Sequence, residues 1–199
     1  MGKEISGVIL AGGASKRFGG KNKSKISIGG RTIMSRMIVV MEEIFDEIII
    51  VTNSPEEYVD FNKHKIVRDQ ILKAGPLGGI HAAMETSSKD AVFVFAGDMP
   101  FISKKIITDQ INKYTEGEFE ALVPRINTFI EPLQAIYNNS ACEFLNALLR
   151  SNDNHAVRDF LSNLDTHYMQ LEDSEETRLA FTNINTPHDL FKIGKRQGY

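Results

Sequence analysis

The chain has 199 residues, a formal net charge of −3 and one cysteine, Cys142. This length suits a single domain over 1–199 with a sizeable buried core. One cysteine excludes an internal disulfide and a cysteine zinc cluster. No apolar run has membrane-spanning length and residues 1–6 contain no apolar signal region, so we expect a cytoplasmic protein.

Apolar strands alternate with amphipathic helices along the chain. In chain order the pattern predicts a strand at 5–10, a helix at 32–45, a strand at 47–52, a helix at 77–87, a strand at 91–96, a helix at 103–114, strands at 120–124 and 132–137, helices at 140–150 and 155–163, strands at 167–171 and 180–184, and a helix from about 187. Thr32 and Ser103 are predicted N-caps.

This order of elements predicts an α/β fold, with a mostly parallel twisted sheet covered by helices on both faces. The segment PRINTFIEPLQAI interrupts the alternation, which is consistent with a small inserted lobe around 124–137.

Charge is concentrated near the start of the chain. The first 36 residues hold eight of the 23 Lys and Arg and one of the 26 acids, so they carry +7 and the rest carries −10. A compact positive segment on an acidic body predicts a local anion site. It argues against a nucleic-acid-coating surface, on which basic charge would be spread more widely.

The glycine-rich stretch GVILAGGASKRFGGKNKSKISIGG at 7–30 contains most of this positive charge. Gly12 and Gly13 let the main chain touch a ligand, so that its N–H groups can face phosphate oxygens. Ser15 and Asn22 break the Walker pattern, and the absence of glycine at 14 and 15 breaks the dinucleotide pattern. The stretch is therefore either a polyanion-binding loop of another kind or a solvated surface loop.

Ligands of parallel sheets bind beyond the carboxyl ends of the strands, which here are 10–25, 53–54 and 97–100. Asp98 follows the predicted strand at 91–96 and is either a Mg²⁺ ligand or a turn-forming acid. Asp69 is either a loop acid or a nucleotide contact. A carboxylate accepts both guanine N1–H and the N2 amino group, whereas adenine offers no such donor pair.

Four motifs resemble those of the molybdenum cofactor guanylyltransferase family, and they span nearly the whole chain in the family's order. They are LAGGASKRFG at 10–19, GPLGGI at 75–80, GDMPF at 97–101 and NINTPHDL at 183–190. The first and third are similar to motifs of the wider Rossmann-like nucleotidyltransferase superfamily. The other two point to the guanylyltransferase branch.

The resemblance implies a role for each matching position. Residues implied to bind the nucleotide are Leu10, Ala11, Gly12, Gly13, Lys23, Asn53, Asp69, Gly78 and Asp98. Those implied to be catalytic are Arg17 and Lys23, on the phosphates, and Asp98, on Mg²⁺; Asn183 and Asn185 are implied to lie near the acceptor. The sequence departs from the family pattern at Asn22, where an Asp usually precedes the lysine.

The implied reaction attaches GMP from GTP to the terminal phosphate of molybdopterin and releases pyrophosphate. It needs Mg²⁺, and transient cofactor-delivery proteins are the implied partners. Three alternatives stay open at this point: transfer of CMP to molybdopterin, transfer of a nucleotide to a sugar or polyol phosphate, and a non-catalytic GTP-binding module.

Overall fold

The structure, a computed structural model, describes residues 4–12, 23–69, 71, 74–151, 156–186 and 188–189. The strands in these ranges are β1 (Ile5–Leu10), β2 (Ser27–Ile28), β3 (Arg31–Thr32), β4 (Ile48–Val51), β5 (Lys65–Val67), β6 (Ala91–Ala96), β7 (Ala121–Ile126), β8 (Phe129–Ile130), β9 (Gln134–Asn138) and β10 (Thr166–Leu171). The α-helices are α1 (Ile33–Met41), α2 (Pro76–Thr86), α3 (Lys104–Thr115), α4 (Cys142–Arg150), α5 (Val157–Leu161) and α6 (Glu175–Ala180).

One central sheet has the strand order β10-β7-β9-β6-β1-β4-β5, with β8 added beside β7. The pairs β1–β4, β1–β6, β4–β5 and β7–β10 are parallel. β9 runs antiparallel between β6 and β7. The mostly parallel sheet expected from the sequence is confirmed. The strands β2 and β3 form a separate antiparallel ribbon.

Helices cover both faces of the sheet because its central strands are apolar on both sides. In β6, Phe93 and Phe95 point to one face, where their rings stack with centroids 4.5 Å apart. Val92 and Val94 point to the other face, as the two-residue period of a strand requires. The phenylalanine face packs against α1, α3 and α6, and the valine face packs against α2, α4 and α5.

Local signals predicted most of these elements. β1 and β6 have their predicted bounds, and the side chains of Thr32 and Ser103 accept N-cap hydrogen bonds as expected. The strand predicted at 180–184 is wrong, because α6 ends at Ala180 and no strand forms at 181–184. Phe181 and Ile184 are buried in an irregular segment, so their apolar pattern reflects packing and not strand pairing. The helix predicted from 187 lies almost wholly outside the described residues.

The segment 124–137 is continuous with the central sheet at both ends, through β7 and β9, and β8 lies between them. Whether this segment forms an acceptor-binding lobe stays a prediction. In the described ranges, no helix combines the length and apolarity that crossing a bilayer would require.

Candidate active site

The carboxyl ends of β1 and β6 are in direct backbone contact. The Gly97 N–H donates to the Leu10 carbonyl at 3.0 Å, and the Ala11 N–H donates to the Val51 carbonyl of β4 at 2.8 Å. A Cβ at position 97 would lie only 2.8 Å from the Leu10 carbonyl oxygen. Glycine at 97 therefore allows the segment that contains Asp98 to lie against the start of the glycine-rich loop.

The C-terminal motif reaches the same edge of the sheet. The Ile184 N–H donates to the main-chain carbonyl of Asp98 at 2.9 Å, which brings Asn183 and Asn185 close to Asp98 in the fold. The side-chain oxygen of Asn183 is buried and has no hydrogen-bond partner in the described part of the chain. A buried amide oxygen left in this state is suited to meeting a ligand.

Asp69 lies against the first turn of α2. A Cβ on Gly78 would approach its carboxylate oxygens to 2.6 and 2.7 Å, so the carboxylate occupies space that only glycine leaves open. Burial raises the pKa of Asp69, while the Ile71 N–H, which donates at 2.9 Å, and the nearby His81 lower it. The sequence-predicted pair of Asp69 and Gly78 is therefore together in the structure.

The second glycine of the GPLGG motif connects this pair to β1. A Cβ on Gly79 would lie 3.0 Å from a terminal methyl of Leu10, so the helix packs closely on the last residue of that strand. Steric crowding thus explains why glycine occupies both positions 78 and 79. The surroundings of Asp69 and Gly78, here called the Asp69 subsite, adjoin the end of β1.

Glu131 is a candidate site residue that the sequence analysis did not select. The β6–β9 ladder pairs Phe95 with Gln134, and the Ala96 N–H donates to the Leu133 carbonyl at 2.8 Å. Beyond this bond both segments leave the ladder in turns, closed by the Met99 N–H to the Ala96 carbonyl and by the Gln134 N–H to the Glu131 carbonyl, each at 3.3 Å. Glu131 therefore lies at the same end of the sheet as Asp98. The only sequence signal for it was an acid inside the apolar stretch FIEPLQAI.

The carboxyl group of Glu131 is buried, and its residue is only 8% exposed. Burial raises its pKa, the Leu133 N–H donated to Oε1 at 3.1 Å lowers it, and the charge of Asp98 raises it again. The two carboxyl groups are therefore close enough to interact electrostatically near the end of β6.

The remaining predicted residues are described only in part. Gly12 is exposed just beyond β1, and Asn53 is exposed just beyond β4, at the same edge of the sheet. Gly13 and Arg17 lie outside the described residues. Lys23 begins a 3₁₀ turn, Lys23–Lys25, and only its main chain is described.

This edge of the sheet fits a magnesium ion. Mg²⁺ prefers oxygen ligands and commonly takes one or two protein carboxylates, with water and phosphate oxygens completing its octahedron. Asp98, with the carboxyl group of Glu131 close enough to interact with its charge, supplies that chemistry. Across the described ranges no cluster of three or more His, Cys, Asp or Glu has metal-binding geometry.

A family model described as the MobA-like NTP transferase domain matches residues 7–168. The chain belongs to the MobA-like NTP transferase family. The family resemblance predicted from the four motifs is therefore confirmed, and the matched range contains the glycine-rich loop, Asp69, Gly78, Asp98 and Glu131.

Full-length relatives carry one common name within this family. A protein of Natranaerobius thermophilus named probable molybdenum cofactor guanylyltransferase is 35% identical over the whole chain and 98% of its own length. A protein of Thermococcus kodakarensis with the same name is 36% identical over 94% of this chain and 92% of its own length.

Solved structures share the fold of this NTP transferase. Molybdopterin-guanine dinucleotide biosynthesis protein A of Archaeoglobus fulgidus has a TM-score of 0.80 at 21% identity, covering 97% of this chain and 98% of its own. CMP:2-keto-3-deoxy-manno-octonic acid synthetase has a TM-score of 0.77 at 13% identity, covering 98% of each chain. These likenesses confirm the nucleotidyltransferase form of the α/β fold.

Proposed function

We propose that the protein transfers GMP from GTP to the terminal phosphate of molybdopterin and releases pyrophosphate. The observation that carries the proposal is the meeting of Asp98, the β1 end and the 183–185 segment at one edge of the sheet. This arrangement occurs in a chain whose full-length relatives are named molybdenum cofactor guanylyltransferases.

The reaction asks for positioning and charge neutralisation. A terminal phosphate oxygen of the acceptor forms a bond to the α-phosphorus of GTP, the bond between that phosphorus and the α,β-bridging oxygen breaks, and pyrophosphate leaves with that oxygen. The attacking oxygen is already an anion at neutral pH, so no general base is required. Two polyanions must be held in line, and fixed donors and cations supply most of the rate enhancement.

Asp98 is the residue that would hold Mg²⁺, with the buried carboxyl group of Glu131 within electrostatic reach of it. When bound, the ion would neutralise charge on the phosphates. Arg17 and Lys23 would hold the triphosphate. Asn183 and Asn185 would contact the acceptor, because their segment is fixed to the Asp98 main chain.

The nucleotide would lie over the carboxyl ends of β1 and β4. Residues proposed to line it are Leu10, Ala11, Gly12, Gly13, Lys23, Asn53, Asp69, Gly78 and Asp98. Asp69 would select guanine, since its carboxylate can accept from both N1–H and the N2 amino group. Transient delivery of the acceptor by another protein, a contact of segment 124–137 with the acceptor and a cytoplasmic location belong to the same proposal.

The test measures pyrophosphate release with molybdopterin and Mg²⁺ for each of the four ribonucleoside triphosphates. We expect release with GTP and little with ATP, CTP or UTP. Preferred use of CTP would replace the proposal with cytidylyl transfer. Stabilisation of the protein by GTP in a thermal melt, without any turnover, would favour the GTP-binding module.

A further inference from the structure

A buried hydrogen-bonded chain connects the two sides of the glycine- and lysine-rich loop. The hydroxyl of Tyr58 donates to the Ala11 carbonyl at 3.3 Å and lies 2.6 Å from the hydroxyl oxygen of Ser24. Either hydroxyl can be the donor in the hydrogen bond between Ser24 and Tyr58. Ala11 directly follows β1, and Ser24 is in the 3₁₀ turn on the far side of the loop.

This connection comes from a distant part of the chain. Tyr58 lies in the 3₁₀ helix Pro55–Phe61, between β4 and β5, and is 47 residues from Ala11 and 34 from Ser24. Tyr58 and Ser24 are 1% and 2% exposed, and the tyrosine ring belongs to the apolar core on the α1 face. Hydrogen bonds in such a low-dielectric setting strengthen one another, and an unpaired partner is costly.

The turn Lys23–Lys25 and the 3₁₀ helix Pro55–Phe61 also contact each other at the surface. This exposed contact can be compared with the buried one. Lys25 and Glu57 form an ion pair at 3.5 Å, with side chains 49% and 37% exposed. An exposed pair of this kind contributes little, because solvent screens it and both side chains lose conformational entropy. The buried tyrosine contact should therefore decide where the turn lies.

We propose that Tyr58 is a positioning residue, whose hydroxyl fixes the Lys23–Lys25 turn relative to the end of β1. This inference rests on the proposed function, in which Lys23 holds the triphosphate beyond β1. A phosphoryl-transfer site gains rate from charges that are already in place, so displacement of the turn should lower kcat more than it weakens GTP binding.

The experiment compares Tyr58→Phe, Ser24→Ala and their double variant with Glu57→Gln as the matched control. We expect each buried single variant to lower kcat about 10-fold or more, within the range set by an ångström-scale misplacement. The kcat of the double variant should be no lower than that of the less active single variant, because both substitutions remove the hydrogen bond between Tyr58 and Ser24. Glu57→Gln should keep kcat within about twofold.

A second readout is independent of turnover. Amide hydrogen exchange at residues 23–25 should accelerate in Tyr58→Phe and Ser24→Ala but not in Glu57→Gln. Losses that add in the double variant would overturn the proposal. So would a reduced unfolding free energy with unchanged kcat and unchanged exchange at 23–25. Inactivity of the wild type towards GTP would instead refute the proposed function, while the exchange measurement would still test the role of Tyr58.

Discussion

The carboxyl groups at the amino ends of the strands in the central sheet differ in hydrogen bonding from those at the carboxyl ends. We call these two ends of the sheet its amino edge and its carboxyl edge. At the amino edge, Glu47 precedes β4 and accepts hydrogen bonds from Ser6, Lys65 and both the main chain and hydroxyl of Ser88. Burial alone would raise the pKa of Glu47, but these donors outweigh burial and lower it to about 2. This carboxylate is satisfied by the protein and stabilises the junction of four strand and helix ends.

At the carboxyl edge the balance is reversed. Asp69 is partly buried and Glu131 is buried, and within the described residues each accepts a single backbone hydrogen bond. Burial dominates, and the pKa of both groups is raised. Acids whose pKa is perturbed in this way gather at functional sites. At the amino ends of the strands, charge holds the fold. At the carboxyl ends, where we propose that the nucleotide binds, the acids have fewer donors among the described residues, at some cost in stability.

The sharpest test makes the same substitution at both ends of β6. Asp98→Asn should lower kcat by about 10²–10³-fold, because the position loses a charge proposed to hold Mg²⁺. It should leave the urea unfolding free energy nearly unchanged. Affinity for Mn²⁺ in the presence of GTP, measured by electron paramagnetic resonance, should fall in parallel.

The matched control is Asp90→Asn, at the amino edge, where the carboxylate accepts from the Glu4 N–H at 2.9 Å. It should leave kcat and Mn²⁺ affinity unchanged. Full activity in a folded Asp98→Asn protein would contradict the proposed difference between the two edges. Equal losses of kcat in the two variants would contradict it as well.

A smaller effect is expected at the Asp69 subsite. Gly78→Ala places a methyl group 2.6 Å from the Asp69 carboxylate, so that side chain must move. We expect the KM for GTP to rise about 10-fold and the preference over ATP to narrow. Stability should not fall much, since alanine is favoured over glycine in a helix by about 1 kcal/mol. Steady-state kinetics with both nucleotides measure the change, and an unaltered preference would contradict guanine selection by Asp69.

The smallest effect on activity belongs to the amino edge. Glu47→Gln should leave kcat unchanged but lower the unfolding free energy at pH 7 by about 1–2 kcal/mol, through weaker hydrogen bonds. The folded pKa lies below the unfolded one, so the charge stabilises fully above about pH 4.5, and this contribution disappears as the pH falls to about 2. Urea unfolding from pH 7 to pH 2.5 should show the two proteins converging. A constant gap would refute the role of the charge.

Local sequence patterns were sufficient to predict the central strands of the sheet and some of the candidate site residues. The apolar runs that became β1 and β6 could be predicted residue by residue, because strands buried on both faces leave little choice of side chain. Asp98 drew attention because it follows such a strand, but position alone left it either a turn-forming acid or a Mg²⁺ ligand. The resemblance of GDMPF to a family motif favoured the ligand. Asp69 and Gly78 were found by resemblance to a motif, and their steric contact was not foreseeable.

Tyr58 and Glu131 could not be selected from local pattern. A single tyrosine between two strands carries no periodic signal, and its partners lie 47 and 34 residues away. Glu131 precedes β9, which runs against its neighbours, so its starting end lies where other strands finish. A search confined to residues that follow strands misses an acid in that place. The strand predicted at 180–184 was wrong because it too depends on a contact distant in sequence. The N–H of buried Ile184 donates to the Asp98 carbonyl, which lies beyond the end of β6.

The contact between Gly97 and the Leu10 carbonyl also has an evolutionary consequence. It joins two segments of the candidate active site through main-chain atoms. A backbone oxygen 2.8 Å from an added Cβ cannot rotate away as a flexible side chain would. The spacing between the glycine-rich loop and Asp98 is thus set by the absence of one carbon atom. Side chains in both segments can diverge without altering that spacing for as long as position 97 remains glycine.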